Sequence, residues 1–115
     1  MGLKKGDIVL VNFPFDTFKR SKKRPAIVIW AKEDMQAFTL IMITSKELEV
    51  KRKGEFTISP GHPEFSQSGL KLQSKVRAYR MATLHRNLIL GKLGYLGKYL
   101  MKELGENIKD AFGLS

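Results

Sequence analysis

The 115-residue chain contains no cysteine and only two histidines. Disulfides and thiolate metal sites are thereby excluded, and the isolation of His62 from His85 argues against a zinc site. No apolar run approaches the roughly 18 residues that a membrane-spanning helix needs. The longest, at 26–31 and 38–43, have the length of strands. Met1 to Gly6 carries two lysines but leads into no apolar segment of signal-peptide length, so a cytoplasmic protein with no membrane partner is expected. Several enzyme signatures are missing too. There is no phosphate-binding glycine loop, nucleophile elbow or HExxH, and no cluster of carboxylates of the kind that holds Mg²⁺.

Acidic residues are also scarce: 11 Asp and Glu stand against 21 Lys and Arg, a net charge of +10. A surplus of that size on a small protein sets up a positive field that draws in polyanions. Nucleic acid is the first candidate, because phosphate contacts supply most non-specific affinity. A strongly acidic protein is the other natural partner, and a merely lysine-rich surface is the plain alternative. The length suits a single domain over residues 1–115, and 43% hydrophobic residues is enough for one compact core.

Two-thirds of the chain reads as strands. Residues 8–13 are β-rich and end at Pro14, and a polar, basic loop runs from 14 to 23. Residues 25–30 form a second strand with Pro25 at its first position, where a missing N–H does least harm. Residues 38–44 are apolar on both faces and so central, 55–59 are shorter and alternating, and 60–69 carry two prolines and two glycines, a loop. Residues 75–83 alternate as a half-exposed strand and 88–93 are a further short one. The period then changes. Leu100, Met101, Leu104, Ile108, Ala111 and Phe112 recur every three or four residues, which predicts a helix over 97–112 stopped by Gly113. The fold class expected is mainly β: a small, strongly bent antiparallel sheet or open barrel with a C-terminal helix.

An enzyme acting on nucleic acid with so little to hold a metal is expected to act without metal or cofactor. RNA then becomes the natural substrate, because its 2′-OH is a built-in nucleophile toward the adjacent phosphate. The reaction needs a base, an acid and cations on the transition state. Arginine suits the last task, since its planar fork binds phosphate in two-point fashion and stays charged.

The residues that follow resemble a known family. Gly6-Asp7-Ile8-Val9-Leu10-Val11-Asn12-Phe13-Pro14, a polar loop, and Lys23-Arg24-Pro25-Ala26-Ile27-Val28-Ile29 look like the opening of the MazF/PemK (Kid-like) toxins. Ile43-Thr44-Ser45 resembles the end of the family's third strand, and the run from Ser68-Gly69-Leu70 to Ser74-Lys75-Val76-Arg77 resembles its Gly-Leu…Ser-x-Val-Arg segment. Thr83-Leu84 and Lys92 to Leu96 resemble its closing strand and helix approach. The resemblance implies a twisted antiparallel sheet of SH3-like open-barrel type, usually a homodimer. It also implies a metal-independent endoribonuclease (mRNA interferase) that cuts single-stranded RNA, leaves 2′,3′-cyclic phosphate and 5′-OH ends, and is neutralised by an acidic antitoxin.

Carried over by position, the resemblance makes Arg24 and Thr44 the catalytic candidates, with Ser45 and Arg77 possible catalytic or phosphate-binding residues. PemK-type members place an acid two residues after that last arginine, where this chain has Tyr79. A phenol with an ordinary pKa near 10 is a poor base at neutral pH, though it can donate to phosphate or stack on a base. Lys19, Arg20, Lys22 and Lys23 in the basic loop are RNA-steering candidates, against the reading of a solvated surface run. Phe15 and Phe18 either stack on bases or pack, Trp30 belongs to the core or an interface, and His85 is an outside candidate for acid–base work. Two other functions stay open: a non-catalytic RNA-binding barrel, and a gyrase-poisoning toxin of similar shape.

Overall fold

A computed structural model describes residues 2–13 and 22–114. Its six strands are β1 (Asp7–Phe13), β2 (Lys22–Lys32), β3 (Ala37–Thr44), β4 (Glu55–Ile58), β5 (Ser74–His85) and β6 (Ile89–Tyr95). They make one antiparallel sheet in the order β4-β5-β3-β2-β1-β6, with β4 and β6 as its two edges, so the sheet is bent and open and not closed into a barrel. A single helical turn, α1 (Phe65–Ser68), precedes β5, and α2 (Lys98–Phe112) follows β6. No helix among the described residues is long and apolar enough to cross a membrane.

Parity along the strands divides the core in two, since successive side chains point to opposite faces of a sheet. On one face Ile8, Ile27, Ile41, Ile43, Phe56, Ile58 and Val76 are buried together with Leu96, Leu100 and Leu104, so α2 packs here. On the other, Val9, Val11, Ala26, Val28, Phe38 and Leu40 pack with Leu3, Leu84 and Ile89. Leu100 and Leu104 are fully buried, each contributing about 1.5–3 kcal/mol of apolar burial. The stripe expected on α2 reaches the core only as far as Ile108; Phe112 is exposed.

The first turn of α2 is satisfied from far away in sequence. Glu64 is buried, and its carboxylate accepts from the backbone N–H of Tyr99 at 3.1 Å and of Leu100 at 2.9 Å. The contact explains Gly97 at the N-cap: a Cβ there would come within 2.3 Å of the Glu64 carboxyl carbon. A carboxylate at a helix N-terminus satisfies orphan donors and meets the positive end of the helix dipole. Glu64→Ala should therefore cost about 1–2 kcal/mol, read as a lower urea midpoint with faster amide exchange in the first turn of α2. An unchanged midpoint would count against the cap.

Several expectations shift by a few residues. β2 begins at Lys22, so Lys22 and Lys23 belong to a strand and not to the loop. Pro25 lies inside β2 opposite Leu10. The proline is tolerated there because the β2–β3 ladder has already ended, its last pair being Ala26 with Met42. The expected loop at 60–69 contains α1, closed by Gly69 in a left-handed conformation (φ 74°). Trp30 is 44% exposed and not a core residue, because a register shift between Val28 and Trp30 interrupts the alternation of β2.

β5 departs most from simple alternation. Ile41 pairs with Met81 but Ile43 pairs with Val76, so residues 77–80 bulge opposite Met42 alone. Before the bulge β5 pairs on both sides, Ser74 to Arg77 with β4 and Lys75 and Val76 with β3; beyond it β5 pairs with β3 alone. Beyond Ala78 the expected alternation is lost, and Tyr79, Arg80 and Met81 are all exposed.

Candidate active site

The face opposite α2 changes character along the strands. Val11 pairs with Arg24, as Val9 pairs with Ala26 in the apolar cluster of that face. Arg24 and Thr44 each lie two residues beyond the Ala26–Met42 pair that ends the β2–β3 ladder, on the same face by parity; Thr44 in turn pairs with Lys75, and Lys75 with Thr57. By parity Val11, Arg24, Thr44, Lys75 and Thr57 follow one row across five strands, with the step from Arg24 to Thr44 lying beyond the paired ladder. Antiparallel neighbours in such a row share a face.

A surface hollow of about 190 Å³ opens at this end of the sheet, lined by Lys23, Arg24, Pro25, Ile43, Thr44, Ser45 and Lys46. Three sequence candidates, Arg24, Thr44 and Ser45, meet here. They are joined by Lys23, expected as an RNA contact, and by Lys46, which the sequence did not single out. Three cations and two hydroxyls in one small concavity make a site for an anion with several oxygens. Thr44 Oγ1 accepts from the Lys46 N–H at 3.1 Å. Acting as acceptor there, the hydroxyl keeps its own proton to donate. Pro25 restricts Arg24 to extended backbone, which helps keep the guanidinium on this face.

Arg77 and Tyr79 are not among the residues lining the hollow; they belong to an ionic network beside it that has a buried centre and an exposed rim. At its centre is Glu55, 1% exposed. Its carboxylate receives Lys75 Nζ at 3.2 Å, Arg77 Nε at 3.7 Å, the Arg52 backbone N–H at 3.0 Å and the Tyr79 hydroxyl. Arg77 also pairs with Glu47. Lys75, likewise 1% exposed, donates to the backbone carbonyls of Glu47 and Val50, each at 2.7 Å. Burial by itself would raise the Glu55 carboxyl. The hydrogen bonds from Tyr79, Arg52 and Lys75, with the charge of Lys75, outweigh it and lower its pKa from 4.5 to about 2. Tyr79 moves upward from its ordinary 10.0, chiefly because its hydroxyl donates to Glu55. A phenol so held is a still poorer base than its normal counterpart.

Lys19 and Arg20, with Phe15 and Phe18, lie outside the described residues. Lys22 is the first residue of β2, paired with Phe13. His85 is placed at the opposite end of β3 from Thr44, paired with Ala37, where its Nδ1 accepts from the Asn87 N–H at 3.1 Å. Glu47, Glu55 and Lys75 were not legible as members of the network beside the hollow. Glu55 and Lys75 read as outward charges on alternating strands. No group of three or more His, Asp or Glu among the described residues is placed to hold a metal ion.

Comparison with known proteins bears on the fold and the family. No curated protein sequence matches. Among solved structures, the chain is similar to an endoribonuclease in complex with its cognate antitoxin from a mycobacterial species. That match has a TM-score of 0.75 at 14% identity and covers 99% of this chain and 98% of the other. It is also similar to the Mycobacterium tuberculosis toxin MazF-mt6 (TM-score 0.73, 20% identity, 95% and 98% covered). MazF from Deinococcus radiodurans gives a TM-score of 0.72 at 20% identity, with 96% of each chain covered. The family model of the PemK-like, MazF-like toxins of type II toxin–antitoxin systems matches residues 4–112. With nearly its whole length matched, the chain belongs to the PemK-like, MazF-like toxin family.

Proposed function

We propose that this toxin is a metal-independent endoribonuclease that cuts single-stranded RNA by attack of a 2′-OH on the adjacent phosphate, leaving 2′,3′-cyclic phosphate and 5′-OH ends. The observation that carries the reading is the meeting of Arg24, Thr44 and Ser45 with Lys23 and Lys46 in one hollow. Arg24 offers a fixed planar fork to two non-bridging oxygens of the scissile phosphate, where charge builds in the transition state. Thr44 donates its hydroxyl proton to a phosphate oxygen or to the 2′-OH. Lys23 and Lys46 supply the field that holds the backbone on either side. The net charge of +10 brings the RNA in, and the same surface suits an acidic antitoxin lying across the hollow as competitor. A homodimer and a cytoplasmic location complete the reading.

The test is incubation of a long RNA with the protein in excess chelator, followed by sequencing and end-group analysis of the products. Cyclic phosphate and 5′-OH ends are expected; products only in the presence of a divalent ion would refute the mechanism. RNA bound with salt-sensitive affinity but left intact would favour the non-catalytic barrel instead. In the same assay Thr44→Val, which keeps the shape and the branched Cβ, should lower turnover by roughly 10- to 100-fold through loss of one hydrogen bond to a charged group. Unchanged turnover would remove Thr44 from the mechanism.

A further inference from the structure

A lysine that is 1% exposed at the second position of a strand is unusual, because burying a charge is costly unless every donor is met. Lys75 meets all three: the carbonyls of Glu47 and Val50 at 2.7 Å each and the Glu55 carboxylate at 3.2 Å. Two of those partners lie in the connection from β3 to β4, the segment that begins immediately after Thr44. Glu47 itself holds φ at +54°, a left-handed conformation that a residue with a side chain adopts only when its surroundings impose it. Here both ends are gripped by β5: the carbonyl by Lys75 and the carboxylate by Arg77. Lys75 is at the same time the direct cross-strand neighbour of Thr44.

We propose that Lys75 is a positioning residue for the hollow. It clamps residues 47–50 through their carbonyls and so fixes the direction in which the chain leaves Thr44, holding Thr44, Ser45 and Lys46 toward Arg24. A methionine in its place would fill similar volume and serve packing as well, but would hold neither carbonyl. Arg77 belongs to the same clamp through Glu47, which assigns it to the shape of the site and not to the phosphate. The role in turnover rests on the endoribonuclease reading above; the clamp itself does not.

Three variants separate positioning from mere stability. Lys75→Met removes the clamp and strands Glu55. Lys75→Met with Glu55→Gln removes the clamp without stranding a carboxylate, and so guards against a variant that fails to fold. Glu55→Gln alone weakens the network but leaves Lys75 on both carbonyls. Each is assayed well below its own unfolding midpoint for kcat and KM on a long RNA, and for amide exchange. Both Lys75 variants should lose roughly 10- to 100-fold in kcat with little change in KM, because a misplaced group costs turnover more than binding. Glu55→Gln should stay close to wild type in both constants. Exchange at residues 46–50 should speed up about 10-fold or more in the two Lys75 variants while strands β1 to β3 stay protected. Equal kcat in the Lys75 variants and Glu55→Gln, a loss carried by KM, or unchanged exchange at 46–50 would each overturn the proposal. If the wild type leaves RNA intact the endoribonuclease reading fails, and exchange at 46–50 still decides whether Lys75 is a clamp.

Discussion

Arg24→Ala is expected to reduce RNA cleavage by roughly 10²- to 10³-fold, the loss typical of removing one preorganised donor from a developing oxyanion. The thermal midpoint should move little. Arg24 is only half-buried at the mouth of a hollow, and the apolar cluster on its face begins two residues later at Ala26. Truncating it therefore opens no cavity in the core. The charge lost is one of 21 cations, so affinity for RNA should fall modestly while turnover collapses. Arg24→Lys should rescue only part of the rate: an ammonium keeps the charge but cannot bond two phosphate oxygens in a plane. Full activity in Arg24→Ala, or a loss confined to KM, would show that the transition state is stabilised elsewhere.

Glu55→Gln carries the largest expected effect on stability. The carboxylate is buried against Lys75, Arg77, Tyr79 and a backbone N–H. Neutralising it leaves the buried Lys75 without its counter-charge in a poorly solvated place, while Arg77 keeps Glu47. Breaking such a pair costs about 3–5 kcal/mol. For a chain of this size that is a fall of roughly 10–20 °C in the midpoint. The pH dependence has a definite sign. The folded pKa of about 2 lies below the ordinary 4.5, so the contribution of Glu55 is fully present above pH 4.5 and is lost as pH falls through 2. The gap between wild type and Glu55→Gln should accordingly be widest near neutrality and close between pH 4.5 and 2. A gap that stays constant through that window would mean Glu55 does not titrate as a buried, paired carboxylate.

Much of this was readable from the chain because it follows from local rules. The β-rich and apolar runs that become β1 to β3, the change of period at Leu100 and the stop at Gly113 are set by neighbours in sequence. So is the placement of Arg24 before Pro25 and of Thr44 at the end of an apolar run. What escaped depends on partners distant in sequence. Glu55 looks like an outward residue of an alternating strand, and only the pairing of β4 with β5 sets it opposite Arg77 and within reach of the Tyr79 hydroxyl. Lys75 looks like one more surface cation until the connection after Thr44 folds over it. Glu64 caps a helix 35 residues further on, a relation no local pattern encodes. Tyr79, weighed as a contact for phosphate or a base, has its hydroxyl turned to Glu55 instead.

The division of the sheet by parity bears on how a protein of this kind can diverge. Substitutions within a strand change one side chain; a single inserted or deleted residue between Arg24 and Val28 exchanges the faces of everything on one side of it. Such a change would aim the guanidinium at the helix and leave Lys23 or Pro25 in its place. Relatives that retain only 14–20% of these residues yet superpose over nearly the full chain are therefore expected to vary in length at the connections between strands. The count from the arginine to the first buried core residue of β2 should remain even, a form of inheritance kept in spacing after most of the letters have gone.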